Sequence, residues 1–382
     1  MSRPTLHDRL AAQPGTRSRS RQLPGVAAEQ DFSSADSLGL ARHFQVIGAL
    51  ADTCAREGLL GDGLHPHQHR MLEESLCEWL GFPAARSFQS LGQARLALQL
   101  AVVTDEQDLA LHDHLNGIAL TDATHLAGCR LRRYPHGDAA GAAWQLRQSP
   151  RNLAAIITEG IFSADGQLAP LAALASVAAE NAASLLLDDP LGIGSCGDEG
   201  RGAIALTGLA TQEVDGLVVS LEHALGLQGA VVLGSEALLA RIDAICLQRE
   251  LPRPANAVSA AALVAVQLAR RDQWRRDRLA ELGRHLHQQL RLLDLIDTPL
   301  PPGPLHTLEV EGDARQWQQA LLRRNLKVTT QTVHRGDGQS ATRISLHLGT
   351  AHDPAQLSVL ADAIAMLRQG IRMQVPLVPQ EA

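Results

Sequence analysis

Between about residues 46 and 250 the chain alternates two hydrophobic rhythms. Short apolar runs closed by turn residues, namely DLALHD, LAAIITEG, SLLLDDP, GLVVSL and GAVVLG, read as buried strands. Between the second and third of these, APLAALASVAAENA begins with Pro170 near its first turn and repeats its apolar positions at helical spacing. That segment is a crossover helix, so the strands it joins run parallel through a right-handed connection. Alternation of this kind predicts a wound α/β sheet.

The flanks have a different texture. Residues 1–45 are polar and punctuated by Gly, Pro and Ser, and read as an arm lying on a partner or on the body. After Pro254, ANAVSAAALVAVQLA and then LARRDQWRRDRLAELGRHLHQQLRLLDLI predict two linking helices, or one kinked helix, through residue 299. From residue 300 the order is strand, helix, strand, strand, helix, in HTLEVEG, ARQWQQALLRR, LKVTTQT, TRISLHL and PAQLSVLADAIAMLR. The expected organisation is an arm (1–45), a large domain (46–250), linking helices (251–299) and a small C-terminal α/β domain (300–382).

Composition narrows the function classes. With 45% hydrophobic and 20% charged residues the chain is an ordinary globular one, and a formal charge of −7 supplies no basic face for nucleic acid. The one basic cluster, Arg17, Arg19 and Arg21, belongs to the arm. No apolar run approaches the roughly 18–20 residues of a membrane span, so no membrane partner is expected. MSRPTLHDRL lacks the apolar stretch of a signal peptide, which makes a cytoplasmic location the expectation. Five scattered cysteines without C-x-x-C spacing speak against zinc, iron–sulfur or disulfide frameworks. His65, His67 and His69 in HPHQH invite a metal, but the intervening proline gives poor geometry for a shared site. The chain holds a single lysine, Lys327, so lysine-based covalent chemistry has one side chain to use.

Four segments in order carry a resemblance. DFSSADSLGL, TEGIFSADGQLAPL, LLLDDPLGIGSCGDEGRG and SLEHALGLQGAVVLGS are similar to motifs of the α-oxoamine synthases, the 8-amino-7-oxononanoate synthase-like branch of the aminotransferase-like enzymes. The likeness spans about residues 30–370. It implies the fold-type I pyridoxal phosphate (PLP) transferase architecture: a large, mostly parallel seven-stranded sheet domain and a small C-terminal α/β domain. It also implies PLP as cofactor, an acyltransferase reaction joining an amino acid to an acyl thioester, and a dimer.

Residue by residue, the resemblance places Asp188 opposite the cofactor's ring nitrogen, where a charge-assisted hydrogen bond would keep the ring electron-withdrawing. A turn aspartate in DDP is the other reading of Asp188. Ser220 and Gly92 fall on cofactor-contacting turns. Leu191 stands where the family has a histidine that bonds the phenolic oxygen, and Gly117 where a histidine stacks on the ring. The phosphate turn reads SLGQAR, with Leu91 in place of glycine and Arg95 in place of asparagine. Arg95 reads either as a phosphate-holding charge or as a surface or interface arginine. Arg343 matches one of two family arginines and reads as a substrate-carboxylate contact or as the partner of a structural acid. His223 occupies the Schiff-base lysine position; imidazole forms no stable imine, though it is able to act as a base. Lys327 lies on a strand of the small domain, in none of the motifs.

Three functions follow as expectations. Loss of ring clamp, phosphate cup and lysine together favours a pseudoenzyme or non-catalytic subunit, homodimeric or paired with a lysine-bearing paralogue. The alternatives are an enzyme binding pyridoxamine phosphate (PMP) or PLP with His223 as base, and an active PLP-dependent condensing transferase.

Overall fold

A computed structural model describes residues 30–58, 67–103, 108–148, 153–334 and 340–372. The arginines at 17, 19 and 21, together with His65, lie outside them.

A short strand, β1 (Gln30–Asp31), precedes helices α1 (Phe44–Glu57) and α2 (His67–Leu80). Next come β2 (Ala84–Phe88), α3 (Leu91–Val102), β3 (Leu109–Asp113), α4 (Ile118–Ala127), β4 (Arg130–Tyr134) and α5 (Ala139–Arg147). The large sheet is completed by β5 (Leu153–Glu159), α6 (Leu171–Glu180), β6 (Ser184–Asp188), α7 (Gly202–Thr207), β7 (Gly216–Ser220) and β8 (Ala230–Gly234). These seven strands are ordered β2-β8-β7-β6-β5-β3-β4. All five runs expected as strands are strands, and the crossover helix is α6. One strand reverses: β8 pairs antiparallel with both β2 and β7. The link from Ser220 to Ala230 contains no helix, and without a crossover the chain can only turn back on itself.

The continuous apolar runs feed two cores, because side chains on a strand alternate between faces. Leu185 and Leu187 of β6 join Leu217 and Val219 of β7 in the main core with Leu171 and Leu174 of α6. Leu186 and Val218 point to the other face and pack with Ala94, Leu98 and Ile242. That second core is lined by α3 and by α8 (Glu236–Gln248), which Ser235 caps by accepting the Leu238 N–H at 3.2 Å.

The long helical pattern resolves into α9 (Asn256–Arg271) and α10 (Gln273–Leu292), broken at Asp272. Arg276 reaches back across the break to the buried carbonyl of Ala269 in the last turn of α9, a C-terminal cap by a cationic side chain. The small domain contains β9 (Leu305–Val310), α11 (Ala314–Leu322), β10 (Leu326–Lys327), β11 (Thr329–His334), β12 (Ser340–His347) and α12 (Pro354–Arg372). An antiparallel sheet β11-β12-β9 forms its centre, while β10 pairs in parallel with β1. Residues 30–43 lie on the body: Phe32, Leu38 and Leu40 are fully buried, and the Ala224 N–H donates to the Ala35 carbonyl at 3.1 Å. Among the described residues no helix is long and apolar enough to cross a membrane.

Candidate active site

The parallel strands β5, β6 and β7 end side by side, and their C-terminal residues are Glu159, Asp188 and Ser220. In open α/β sheets this edge is where ligands bind, because the loops diverge there and leave a crevice. Glu159, Asp188 and the adjacent Asp189 are all buried, at 1%, 1% and 0% exposure. Burying three carboxylates so close together is costly unless each is hydrogen-bonded or paired.

Two of the three are held by backbone amides. Glu159 accepts the N–H of Gly117 at 2.6 Å and that of Ser163 at 2.5 Å. Burial and the neighbouring Asp188 still push its carboxyl above the usual range. Asp189 accepts from Gly192 at 3.1 Å and Ala203 at 2.7 Å, and burial raises it to about 6. Its cradle needs glycines: a Cβ at Gly202, whose φ is +71°, would overlap the Asp189 carboxylate and crowd the Ile193 amide.

Asp188 has a side-chain partner instead. Arg95, from the first turns of α3, places Nε at 2.8 Å and Nη2 at 2.5 Å from Oδ2. Oδ1 is buried without a partner. Burial raises the Asp188 carboxyl above its ordinary value, while the charge and hydrogen bond of Arg95 pull it the other way. Both sequence readings of Arg95, as a phosphate contact and as a surface arginine, are therefore displaced by an internal ion pair. Gly92, one turn earlier, is exposed, and Ser90 caps α3 through the Gln93 N–H at 3.3 Å.

His223 sits in the turn after β7. Its Nδ1 lies 2.9 Å from Ser220 Oγ, which also accepts the backbone N–H of Glu222 at 3.1 Å and of His223 at 3.3 Å. With both acceptor positions of the oxygen filled by amides, the serine hydroxyl donates to Nδ1, and the ring proton resides on Nε2. Burial, with His347 and Arg95 nearby, pushes the His223 pKa down to about 4. At neutral pH His223 is thus an uncharged imidazole whose basic nitrogen is already used.

The other residues that the resemblance singles out have partners within the fold. A Cβ at Gly117 would lie 2.9 Å from Glu159 Oε1, so Glu159 stands beside the place of a stacking side chain. Leu191 is buried in an apolar cluster with Ile161, Cys196 and Leu305, joining loops of the large sheet to β9. Arg343 pairs with Glu309 at 2.9 Å, its register partner across β12 and β9. Lys327 donates to Asp31 at 2.7 Å in the β1–β10 ribbon. His69 is bonded to Ser259 at 2.8 Å, and no group of three metal-binding side chains occurs among the described residues.

Set against PLP, these residues do not fit. The position that the resemblance gives to the lysine offers no amine, the aspartate that it sets at the ring nitrogen is bound to Arg95, and neither histidine that it expects at the ring or its phenolic oxygen is present.

The whole chain nonetheless matches known proteins. Residues 31–364 fit the family model for aminotransferase class I and II. The 8-amino-7-oxononanoate synthase of Xylella fastidiosa (strain M23) is 40% identical over 97% of this chain and 98% of its own length. That of Xanthomonas campestris pv. campestris (strain B100) is 39% identical over the full length of both. That alignment runs over 417 positions, more than the 382 residues here, so the relative carries segments this chain lacks. Among solved structures, 8-amino-7-oxononanoate synthase from Francisella tularensis superposes with a TM-score of 0.79 at 20% identity, covering 90% of this chain and 98% of that one. Sphingomonas wittichii serine palmitoyltransferase gives 0.80 at 21% identity over 90% and 88%. The chain has the fold-type I architecture and belongs to the aminotransferase class I and II family of PLP-dependent transferases, within its α-oxoamine synthase branch.

Proposed function

We propose that this protein is a non-catalytic member of its family, a cytoplasmic subunit that pairs with a lysine-bearing relative and completes or stabilises that relative's site. The observation that carries the reading is His223: it stands at the Schiff-base lysine position with Nδ1 held by Ser220, and the chain's one lysine is engaged by Asp31. A primary amine is what captures an aldehyde cofactor and moves the substrate proton; a neutral imidazole without a free basic nitrogen does neither. Sequence similarity runs over the full length and fold similarity over 90% of this chain, which supports a body that still presents family surfaces to a relative. Fold alone does not carry activity, which depends on the residues of the site.

The alternative of a PMP- or PLP-binding enzyme with His223 as base requires the opposite tautomer, in which Nδ1–H donates to Ser220 Oγ in place of a backbone amide and Nε2 is the base. An active condensing transferase requires an amine the cleft does not supply. The test is affinity purification of the tagged full-length chain from its own cell, followed by native mass spectrometry. A heterodimer with a lysine-bearing α-oxoamine synthase is expected; exclusive homodimers, with no such relative recovered, would overturn the proposal.

A further inference from the structure

We propose that Arg95 is a built-in substitute for the cofactor's cationic ring: its guanidinium binds Asp188 where relatives would place the ring nitrogen, and it excludes PLP and PMP from the cleft. This rests on the resemblance's assignment of Asp188 to the ring-nitrogen position and not on the pairing with a relative.

The argument begins with charge. Glu159 and Asp189 are each held by backbone amides, whereas the hydrogen bonds to Asp188 come from Arg95. A family asparagine at position 95 would bring no charge, so a buried aspartate there needs a cation from outside the chain. Here the chain provides it. The side chain of Arg95 is 13% exposed and that of Asp188 is 1% exposed, so the pair is withdrawn from solvent and each member depends on the other. Nε and Nη2 converge on the same oxygen, which turns the guanidinium side-on to the carboxylate. A pyridinium N–H and this guanidinium seek one carboxylate, and the tethered one carries no association cost.

The surrounding substitutions agree with an arginine in that place. His223 is left uncharged beside it, which avoids like-charge repulsion. Gly117 adds no side chain over the region, and Leu191 has left polar duty for the apolar cluster at Leu305. The site has been rebuilt around an internal cation.

The experiment uses the full chain with Arg95→Ala, which strands Asp188 beside a guanidinium-sized gap. Ethylguanidinium chloride is the probe and equal sodium chloride the control. The variant should melt roughly 5–10 °C below wild type and recover about half of that loss with millimolar ethylguanidinium but not with salt. Calorimetric titration of PLP and of PMP into wild type should show no binding. The inference is overturned if wild type binds either cofactor as tightly as the variant does, or if salt rescues as well as ethylguanidinium. Should Arg95→Ala fail to fold, the pair Arg95→Gln and Asp188→Asn strands no charge and should melt close to wild type. A double variant no more stable than Arg95→Gln alone would equally refute the pairing. None of these readouts involves a partner subunit, so failure of the heterodimer reading leaves them standing.

Discussion

Raising the pH should unlock a clamp at His136. The residue follows β4, with Nδ1 2.9 Å from Asp113 Oδ1 at the end of β3 and Nε2 3.0 Å from Asp165 Oδ2 in the turn after β5. Both nitrogens face carboxylate oxygens, so both carry protons and the ring is an imidazolium. Its edge meets Phe162 at a centroid distance of 4.5 Å. The hydrogen bond to Asp113, then that to Asp165, outweigh burial and raise the pKa from 6.5 to about 9. Burial alone would raise Asp165, but the His136 and Gln167 hydrogen bonds hold it below its ordinary value. A histidine raised in the folded state stabilises fully below its unfolded pKa of 6.5 and loses that contribution as pH climbs through about 9. At about 1.4 kcal/mol per pH unit the rise is worth ~3 kcal/mol, which solvent screening reduces to ~2 kcal/mol. Because Thr307 Oγ1 of β9 donates to the Asp165 carbonyl at 3.3 Å, the clamp also steadies the small sheet against the large one. Urea unfolding of wild type and His136→Gln between pH 6.5 and 10 measures it. Wild type should lose ~2 kcal/mol more than the variant over that range; parallel pH profiles would refute the reasoning.

Three further outcomes are expected. Gly226→Ala forces a Cβ into the Ala41 amide at a φ of +73°, and should cost ~2–4 kcal/mol in denaturant unfolding while loosening the His223 turn from residues 35–41. Trp317→Ala removes a fully buried ring whose Nε1 donates to the Glu311 carbonyl at 2.8 Å, and should destabilise by ~3–5 kcal/mol, read as a lower urea midpoint. His223→Lys alone should restore no cofactor absorption on addition of PLP, since Arg95 still holds Asp188; an aldimine spectrum from that single change would show the cleft to be open.

The sheet was readable where it is buried on both faces. β6, β7 and β8 are apolar runs because neighbours cover them above and below, and their spacing with α6 gives the wound topology. The runs AARSF and RLRRY escaped notice as strands because they are the two edges of the sheet: β4 exposes three of its four leading residues and β2 buries two of five. The reversal of β8 depends on the turn that carries His223, which no periodicity reports. At the site, the burial-prone Asp188 at a strand end and the absence of a lysine near β7 were legible one residue at a time. Arg95 was not, because an arginine on a helix is usually solvated and its partner lies 93 residues away in sequence. The signal available was joint: a neutral family position changed to a cation, beside an aspartate kept while the ring contacts around it were lost. Arg343 shows the converse, a family match that the strand register hands to Glu309.

The account stands on the claim that no amine of this chain captures PLP in the cleft. The direct measurement is incubation of the native protein with PLP, reduction with borohydride, and intact-mass and peptide analysis. The expected result is an unmodified cleft, with trace label at most on the partly exposed Lys327 amine and on the α-amino group. A stoichiometric mass increment on Lys327, accompanied by an aldimine absorption band before reduction, would contradict it.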